Sequence, residues 1–140
     1  MKKIFWIILI IVLIFLWNRK TIEKGVEDNS MNTSQDEILY EQITATDAKK
    51  IMDHEEDYVI LDVRTKSEYE ASHIENAMLL PLDDIDEKAT DVLPDKDQLL
   101  LVYCRSGVRS KEAALQLANL GYTNIKEFGG IIDWPYDVVR

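Results

Sequence analysis

The residue types and spacing that indicate chemistry lie in one segment, Cys104-Arg105-Ser106-Gly107-Val108-Arg109-Ser110. Cys104 is the only cysteine of the chain, so it can form no disulfide within the chain. A glycine-containing loop between a strand and a helix can turn its backbone N–H groups inward around an anion, and the helix adds its positive N-terminal end. A cysteine sulfur held there, with Arg105 and Arg109 nearby, ionises readily to the nucleophilic thiolate. The segment therefore predicts a reactive thiolate at Cys104 beside arginines suited to an oxyanion.

The elements that must position this segment alternate along the chain from Ile38 onward. Apolar β-rich runs predict strands at Tyr58 to Val63, Ala77 to Leu80, Leu99 to Tyr103 and Asn124 to Phe128. Helical patterns are found at Ala48 to Met52 after an N-cap at Thr46-Asp47, at Ser67 to Ser72, at Ile85 to Val92, and at Lys111 to Leu120 before Gly121. This alternation predicts a three-layer α/β/α domain with a central, mostly parallel sheet of about five strands. Ligands of such sheets bind beyond the carboxyl ends of the strands, where Cys104 lies.

An apolar run at residues 4–17 precedes the domain. Fourteen helical residues would cover about 21 Å, short of the ~30 Å hydrocarbon core of a bilayer. No small-residue cleavage pattern follows, and Trp6 and Trp17 suit interfacial depth. We expect a single-pass anchor in residues 1–20 with the domain on the extracytoplasmic side, the alternative being a cleaved signal for secretion. Residues 21–37 are predicted to be a flexible acidic tether and residues 38–140 the folded domain.

Charge excludes one class of partner. Residues 25–140 contain 11 Lys and Arg against 25 Asp and Glu, a formal charge of −14. A domain this acidic repels phosphate backbones, so nucleic acid is not expected as a partner.

The motifs together resemble the rhodanese-like (thiosulfate sulfurtransferase) domain over roughly residues 39–138. In chain order they are Ile60-Leu61-Asp62-Val63-Arg64, Glu68-Tyr69, His73-Ile74 leading to Ala77 and Pro81, the Cys104 loop, Phe128-Gly129-Gly130 and Trp134. Ser72 and Asn76 stand where relatives commonly have glycine; Asn76 is a mild change because asparagine tolerates left-handed backbone angles.

The resemblance implies a sulfurtransferase. Cys104 would attack the outer sulfur of a donor such as thiosulfate, form a persulfide, and pass the sulfur to a thiol or cyanide. The substrate-binding residues would be Arg105, Ser106, Gly107, Val108 and Arg109. Neither a metal nor an organic cofactor is expected.

Several supporting roles follow from residue type. Asp62, in an apolar strand, needs backbone amides or an arginine as partners and is expected to brace the Cys104 loop. Arg64 is expected to pair with an acid such as Glu68. His73 is expected to order its loop, with a general-base role as the alternative, and Trp134 is expected to pack as a terminal plug.

Two other functions stay open. A non-catalytic module of the same fold could bind a partner or sense redox state through its thiolate. A cysteine-dependent phosphatase is disfavoured, because only four residues separate Cys104 from Arg109 and phosphatase loops of a related fold are longer.

Overall fold

The computed structural model describes residues 39–140 of the chain. Five strands and four α-helices alternate along this part. The strands are β1 (Glu41–Gln42), β2 (Tyr58–Asp62), β3 (Met78–Leu79), β4 (Leu99–Cys104) and β5 (Ile125–Gly130). The helices are α1 (Ala45–His54), α2 (Lys66–Ala71), α3 (Ile85–Val92) and α4 (Val108–Asn119). Short 3-10 turns at Leu82–Asp84 and Ile131–Asp133 follow β3 and β5.

The strands form one parallel sheet in the order β1-β5-β4-β2-β3. The predicted α/β fold with about five mostly parallel strands is therefore confirmed. Strand β4 lies at the centre between β5 and β2, which explains why Leu99 to Tyr103 is an unbroken apolar run. Cys104 is the last residue of β4 and lies at the carboxyl edge of the sheet.

The alternation of side chains along β4 sends them to two different cores. Leu100, Val102 and Cys104 pack on the face covered by α3 and α4. Leu101 and Tyr103 pack on the opposite face, with buried residues of α1 and the C-terminal segment. Cys104 thus faces α4, and its neighbour Tyr103 faces away from it.

Side-chain caps set the first residues of α1 and α2. The hydroxyl oxygen of Thr44 accepts a hydrogen bond from the Asp47 N–H at 3.1 Å, so Thr44 is the N-cap of α1 and the predicted cap at Thr46-Asp47 is wrong. Thr65 and Glu68 form a reciprocal capping box at the start of α2. This box fixes Glu68 in the first turn of α2.

Helix α4 begins three residues earlier than Lys111, the predicted start. Gly107 adopts a left-handed conformation with φ of 95°, which lets the chain turn from strand into helix within three residues. Val108 and Arg109 therefore belong to the first turn of the helix and not to a loop. Gly121, with φ of 94°, follows the end of α4 as predicted.

The predicted anchor at residues 1–20 and the predicted tether at 21–37 lie outside the described residues. Among residues 39–140, no helix has the length and apolarity needed to cross a bilayer. The membrane segment and its orientation stay predictions.

Candidate active site

Cys104 lies at the centre of a cradle made by the following loop. Its Sγ accepts a hydrogen bond from the Gly107 N–H at 3.0 Å, and it lies 3.4 Å from the Oγ of Ser110 in the first turn of α4. The residue is 0% exposed, so the loop closes completely over the sulfur. The loop itself is solvent-facing, because the side chains of Arg105, Ser106 and Val108 are exposed.

The hydrogen bonds around Cys104 control its ionisation. Burial alone raises the pKa of the Cys104 thiol, but the hydrogen bond between its sulfur and the Ser110 side chain, together with those from the backbone N–H groups of Ser110, Gly107 and Ser106, outweighs burial, so that the pKa is lowered. The loop amides and the start of α4, which the sequence predicted as the cradle, are thus the main groups that lower this pKa, and the expected support from Arg105 and Arg109 is not among the main contacts.

Arg109 forms an ion pair with Glu68, the acid that was expected to pair with Arg64. Its two terminal nitrogens donate to the two carboxylate oxygens of Glu68, both at 2.8 Å. The hydrogen bond from Arg109 is the largest cause that lowers the pKa of Glu68 to about 2, so Glu68 stays ionised at neutral pH. The expectation that Glu68 pairs with Arg64 is wrong.

Arg64 pairs instead with Asp62, on the face of the sheet opposite Cys104. Both carboxylate oxygens of Asp62 accept hydrogen bonds from the Arg64 guanidinium, at 2.7–3.1 Å, and Oδ2 also accepts one from the Tyr103 hydroxyl at 2.6 Å. Arg64 donates further to the Ser72 carbonyl, and the Tyr103 hydroxyl oxygen accepts from the Ile74 N–H. The carboxylate of Asp62 is therefore satisfied by an arginine, as predicted.

The predicted bracing of the Cys104 loop by Asp62 is wrong, because side-chain alternation along the strands sends the two residues to opposite faces. The network of Asp62, Arg64 and Tyr103 braces the segment from Ser72 to Ile74. The network adjoins the site through Tyr103, which precedes Cys104 on β4.

Two buried polar residues at the site were not identified from sequence. Ser110 and Glu127 are both buried, and the Ser110 hydroxyl donates to Glu127 Oε1 at 2.6 Å. Glu127 could have been predicted from the sequence. It lies between Ile125 and Phe128 in an apolar strand, and a carboxylate there needs a hydrogen-bonding partner for the same reason as Asp62.

Comparison with known proteins identifies the family. The sequence model of the rhodanese-like domain family matches residues 44–135 of this chain. The chain belongs to this family.

Individual proteins are similar to different portions of the chain. The thiosulfate sulfurtransferase PspE of Escherichia coli is 34% identical over 73 residues, which cover 52% of this chain and 70% of PspE. A tRNA uridine(34) hydroxylase of Enterobacter is 28% identical over 94% of this chain, which spans only 37% of that protein. The solved structure of a rhodanese-related protein from Thermoplasma volcanium is 32% identical and covers 71% of this chain and 98% of its own, with a TM-score of 0.63.

Two further residues of the rhodanese-like domain have structural roles. The His73 ring stacks on Tyr69 with 3.8 Å between centroids, and its Nδ1 lies 2.9 Å from the Tyr69 carbonyl oxygen. His73 therefore orders its loop, as expected. Trp134 packs against Phe128 and Tyr136 and also lines a surface pocket of about 530 Å³ on the α1 side of the sheet. This pocket is on the face opposite the side chain of Cys104.

The Cys104 loop rests directly on the glycine pair that ends β5. The Arg105 carbonyl accepts a hydrogen bond from the Ile132 N–H at 3.2 Å, which holds the loop against Gly130. A Cβ at Gly130 would lie 2.1 Å from that carbonyl oxygen and 2.6 Å from the Ser106 Cα. Only a residue without a side chain fits beneath the loop.

Replacing Gly130 by alanine is therefore expected to displace the loop. We expect the free energy of unfolding to fall by about 3 kcal/mol, the upper part of the range for overpacking a core. We also expect slower alkylation of Cys104 at neutral pH, because the hydrogen bond from Gly107 to the sulfur is lost. Urea unfolding and iodoacetamide kinetics measure the two effects.

Gly121→Ala is the matched control. A Cβ there meets no atom within 4 Å, but φ is 94°, so we expect about 1–2 kcal/mol of backbone strain and unchanged alkylation. Alkylation of Gly130→Ala at the wild-type rate would show that the loop does not need this glycine.

Proposed function

We propose that the protein is a sulfurtransferase that carries sulfane sulfur on Cys104. The observation that carries the proposal is the cradle: the Gly107 N–H donates to Sγ at 3.0 Å in a loop that joins the central strand to α4. Backbone N–H groups in this position stabilise a thiolate before attack, and they can hold the anionic outer sulfur of a persulfide afterwards. The similarity to the thiosulfate sulfurtransferase PspE supports the same chemistry.

The reaction has two steps. The Cys104 thiolate attacks the outer sulfur of thiosulfate, a sulfur–sulfur bond forms to Sγ, and sulfite leaves with the electron pair of the broken sulfur–sulfur bond. A thiolate or cyanide then attacks the outer sulfur of the persulfide, and the Cys104 thiolate leaves. Each step exchanges one sulfur bond for another, so no oxidant or reductant is needed.

A donor reaches Sγ only when the loop moves. Because Cys104 is fully buried, the exposed residues Arg105, Ser106 and Val108 must shift to open a path. Arg105, whose side chain is exposed, is the first candidate to bind an incoming sulfonate. Arg109 is the second candidate, but its charge is balanced by Glu68.

Replacing Glu68 by glutamine is expected to strengthen thiosulfate binding. The substitution removes the charge that competes for Arg109, and glutamine keeps the capping box at Thr65. We expect KM for thiosulfate to fall about threefold to tenfold, on the scale of about 1 kcal/mol for a partly exposed ion pair, with a smaller change in kcat. Steady-state kinetics at low ionic strength measure the two constants.

Glu70→Gln is the control, because Glu70 lies on the same helix and pairs only with the exposed Lys66. An unchanged KM in Glu68→Gln would mean that Arg109 does not bind the sulfonate.

Intact mass spectrometry tests the proposed function. The full chain mixed with thiosulfate should gain the mass of one sulfur atom, and the gain should disappear on adding cyanide. Because Cys104 is the only cysteine, a persulfide can form nowhere else. A chain that takes up no sulfur from thiosulfate or other persulfide donors would leave redox sensing or partner binding as its function.

The similarity to tRNA uridine(34) hydroxylases indicates a second candidate, a role in RNA modification. The charge of this chain disfavours it, since residues 25–140 carry a formal charge of −14 and would repel a phosphate backbone. Sulfur transfer to a small acceptor fits the charge better.

A further inference from the structure

Glu127 is a buried acid that the reaction described above does not use. Its side chain lies on the α4 side of β5 and is 2% exposed. Oε1 accepts two hydrogen bonds, from the Ser110 hydroxyl at 2.6 Å and from the Gly129 N–H at 2.8 Å. A carboxylate is costly to bury, and here it lies one hydroxyl group away from the reactive sulfur.

Ser110 connects this acid to the sulfur. Its Oγ lies 2.6 Å from Glu127 Oε1, 3.3 Å from the Gly129 carbonyl oxygen and 3.4 Å from Cys104 Sγ. The hydroxyl has one proton, and the 2.6 Å distance is typical of a hydroxyl that donates to a carboxylate. Its lone pairs then face Sγ, so a protonated Cys104 donates to Ser110, which donates to Glu127.

We propose that Glu127, acting through Ser110, shares one proton with Cys104 during sulfur transfer. When Cys104 ionises, the thiol proton passes to Ser110 Oγ, the proton of Ser110 passes to Glu127 Oε1, and the S–H electron pair stays on sulfur. Ser110 then donates to the thiolate and accepts from the carboxyl group. When an acceptor removes the sulfane sulfur and the thiolate is regenerated, the protons return by the same path.

The exchange keeps the net charge of this buried site constant. Glu127 touches Ser110 and not the sulfur, so it is a positioning residue that acts through Ser110. The inference rests on the proposed function only in taking Cys104 as the nucleophile.

Other ionisable groups near β5 are occupied, exposed or on the other face. Arg109 pairs with Glu68, and Tyr103 binds Asp62 on the opposite face. On β1, Glu41 pairs with Lys126. The remaining ionisable residues of the helices that contact β5 are Lys111 and Glu112 on α4, which are exposed, and Asp47, Lys49, Lys50, Asp53 and His54 on α1, which covers the other face.

Sharing a proton makes the two acids titrate as a pair. In the wild type, the rate of Cys104 alkylation should therefore rise with pH in two steps. Glu127→Gln keeps the acceptor for Ser110 and Gly129 but cannot take up a proton or repel the thiolate. The variant should show a single step that lies between the two wild-type steps. Between that step and the second wild-type step, alkylation should be about tenfold faster than in the wild type, which corresponds to one pKa unit.

The experiment measures iodoacetamide alkylation of the full chain against pH. Glu112→Gln, which removes an exposed carboxylate from α4, is the matched control and should reproduce the wild-type profile. A double-mutant cycle with Ser110→Ala tests the path: without the hydroxyl, the effect of Glu127→Gln should shrink to less than half. Alkylation requires no sulfur donor, so a failure here is distinct from a failure of the sulfurtransferase proposal.

Two outcomes overturn the inference. One is a Glu127→Gln profile that superimposes on the wild type; the other is an equal effect in the Ser110→Ala background, which would mean that the charge acts through space. A further measurement that leaves Glu127 unchanged covers the case in which Glu127→Gln does not fold. Ser110→Ala alone, with Glu127 in place, should turn the two-step rise of Cys104 alkylation into a single step, and an unchanged two-step profile would also overturn the proposal.

Discussion

Cys104→Ser is expected to abolish persulfide formation and to lower the rate of sulfur transfer by more than about 10³-fold, the scale of losing an activated nucleophile. A serine hydroxyl stays protonated at neutral pH and cannot form the sulfur–sulfur bond on which the proposed reaction depends. The fold should persist, because serine is similar in size and its oxygen can accept the hydrogen bond from Gly107.

The measurement compares sulfur uptake by intact mass and turnover of thiosulfate with cyanide. Unfolding in urea gives the required control, since a variant with wild-type stability but no turnover has lost chemistry alone. In the wild type, hydrogen bonds lower the pKa of Cys104, so alkylation should reach half of its maximal rate below the pH at which an unperturbed cysteine does. Turnover that persists in Cys104→Ser would place the reaction at another group.

The order of elements was predictable because parallel sheets produce a simple pattern. Apolar runs such as Leu99 to Tyr103 are buried on both faces, and their spacing leaves room for crossover helices. The short edge strand Glu41–Gln42 has no such pattern, because both of its side chains are exposed. Likewise, the start of α4 at Val108 depends on the left-handed backbone of Gly107, which sequence periodicity does not report.

Cys104 could be singled out from the sequence as the candidate nucleophile, but the pairing of charges around it could not be predicted. The sequence offers acids that could pair with Arg64 and with Arg109, and only the fold decides which acid pairs with which arginine. The capping box places Glu68 where Arg109 reaches it, and Arg64 turns back to Asp62 two residues earlier. The thiolate consequently depends on backbone amides and Ser110, and the arginines that first indicated an anion site contribute less to its ionisation.

Asp62→Ala is expected to cause the largest loss of stability among the substitutions considered. It leaves the Arg64 guanidinium, which is 4% exposed, without its anionic partner. It also removes the acceptor of the Tyr103 hydroxyl, which stays protonated because burial and Asp62 raise the pKa of Tyr103. Removing one partner of a buried ion pair costs about 3–5 kcal/mol, which should appear as a lower urea midpoint.

The effect on chemistry should be far smaller than the effect on stability. Asp62 and Cys104 lie on opposite faces of the sheet, so the folded fraction of Asp62→Ala should be alkylated within about threefold of the wild-type rate, less than half a pKa unit. Asp91→Ala, which removes an exposed acid from α3, controls for net charge and should leave both quantities unchanged. If Asp62→Ala fails to fold, Asp62→Asn, which keeps the side-chain shape, serves instead. A wild-type urea midpoint in either variant would show that Arg64 and Tyr103 do not depend on this carboxylate.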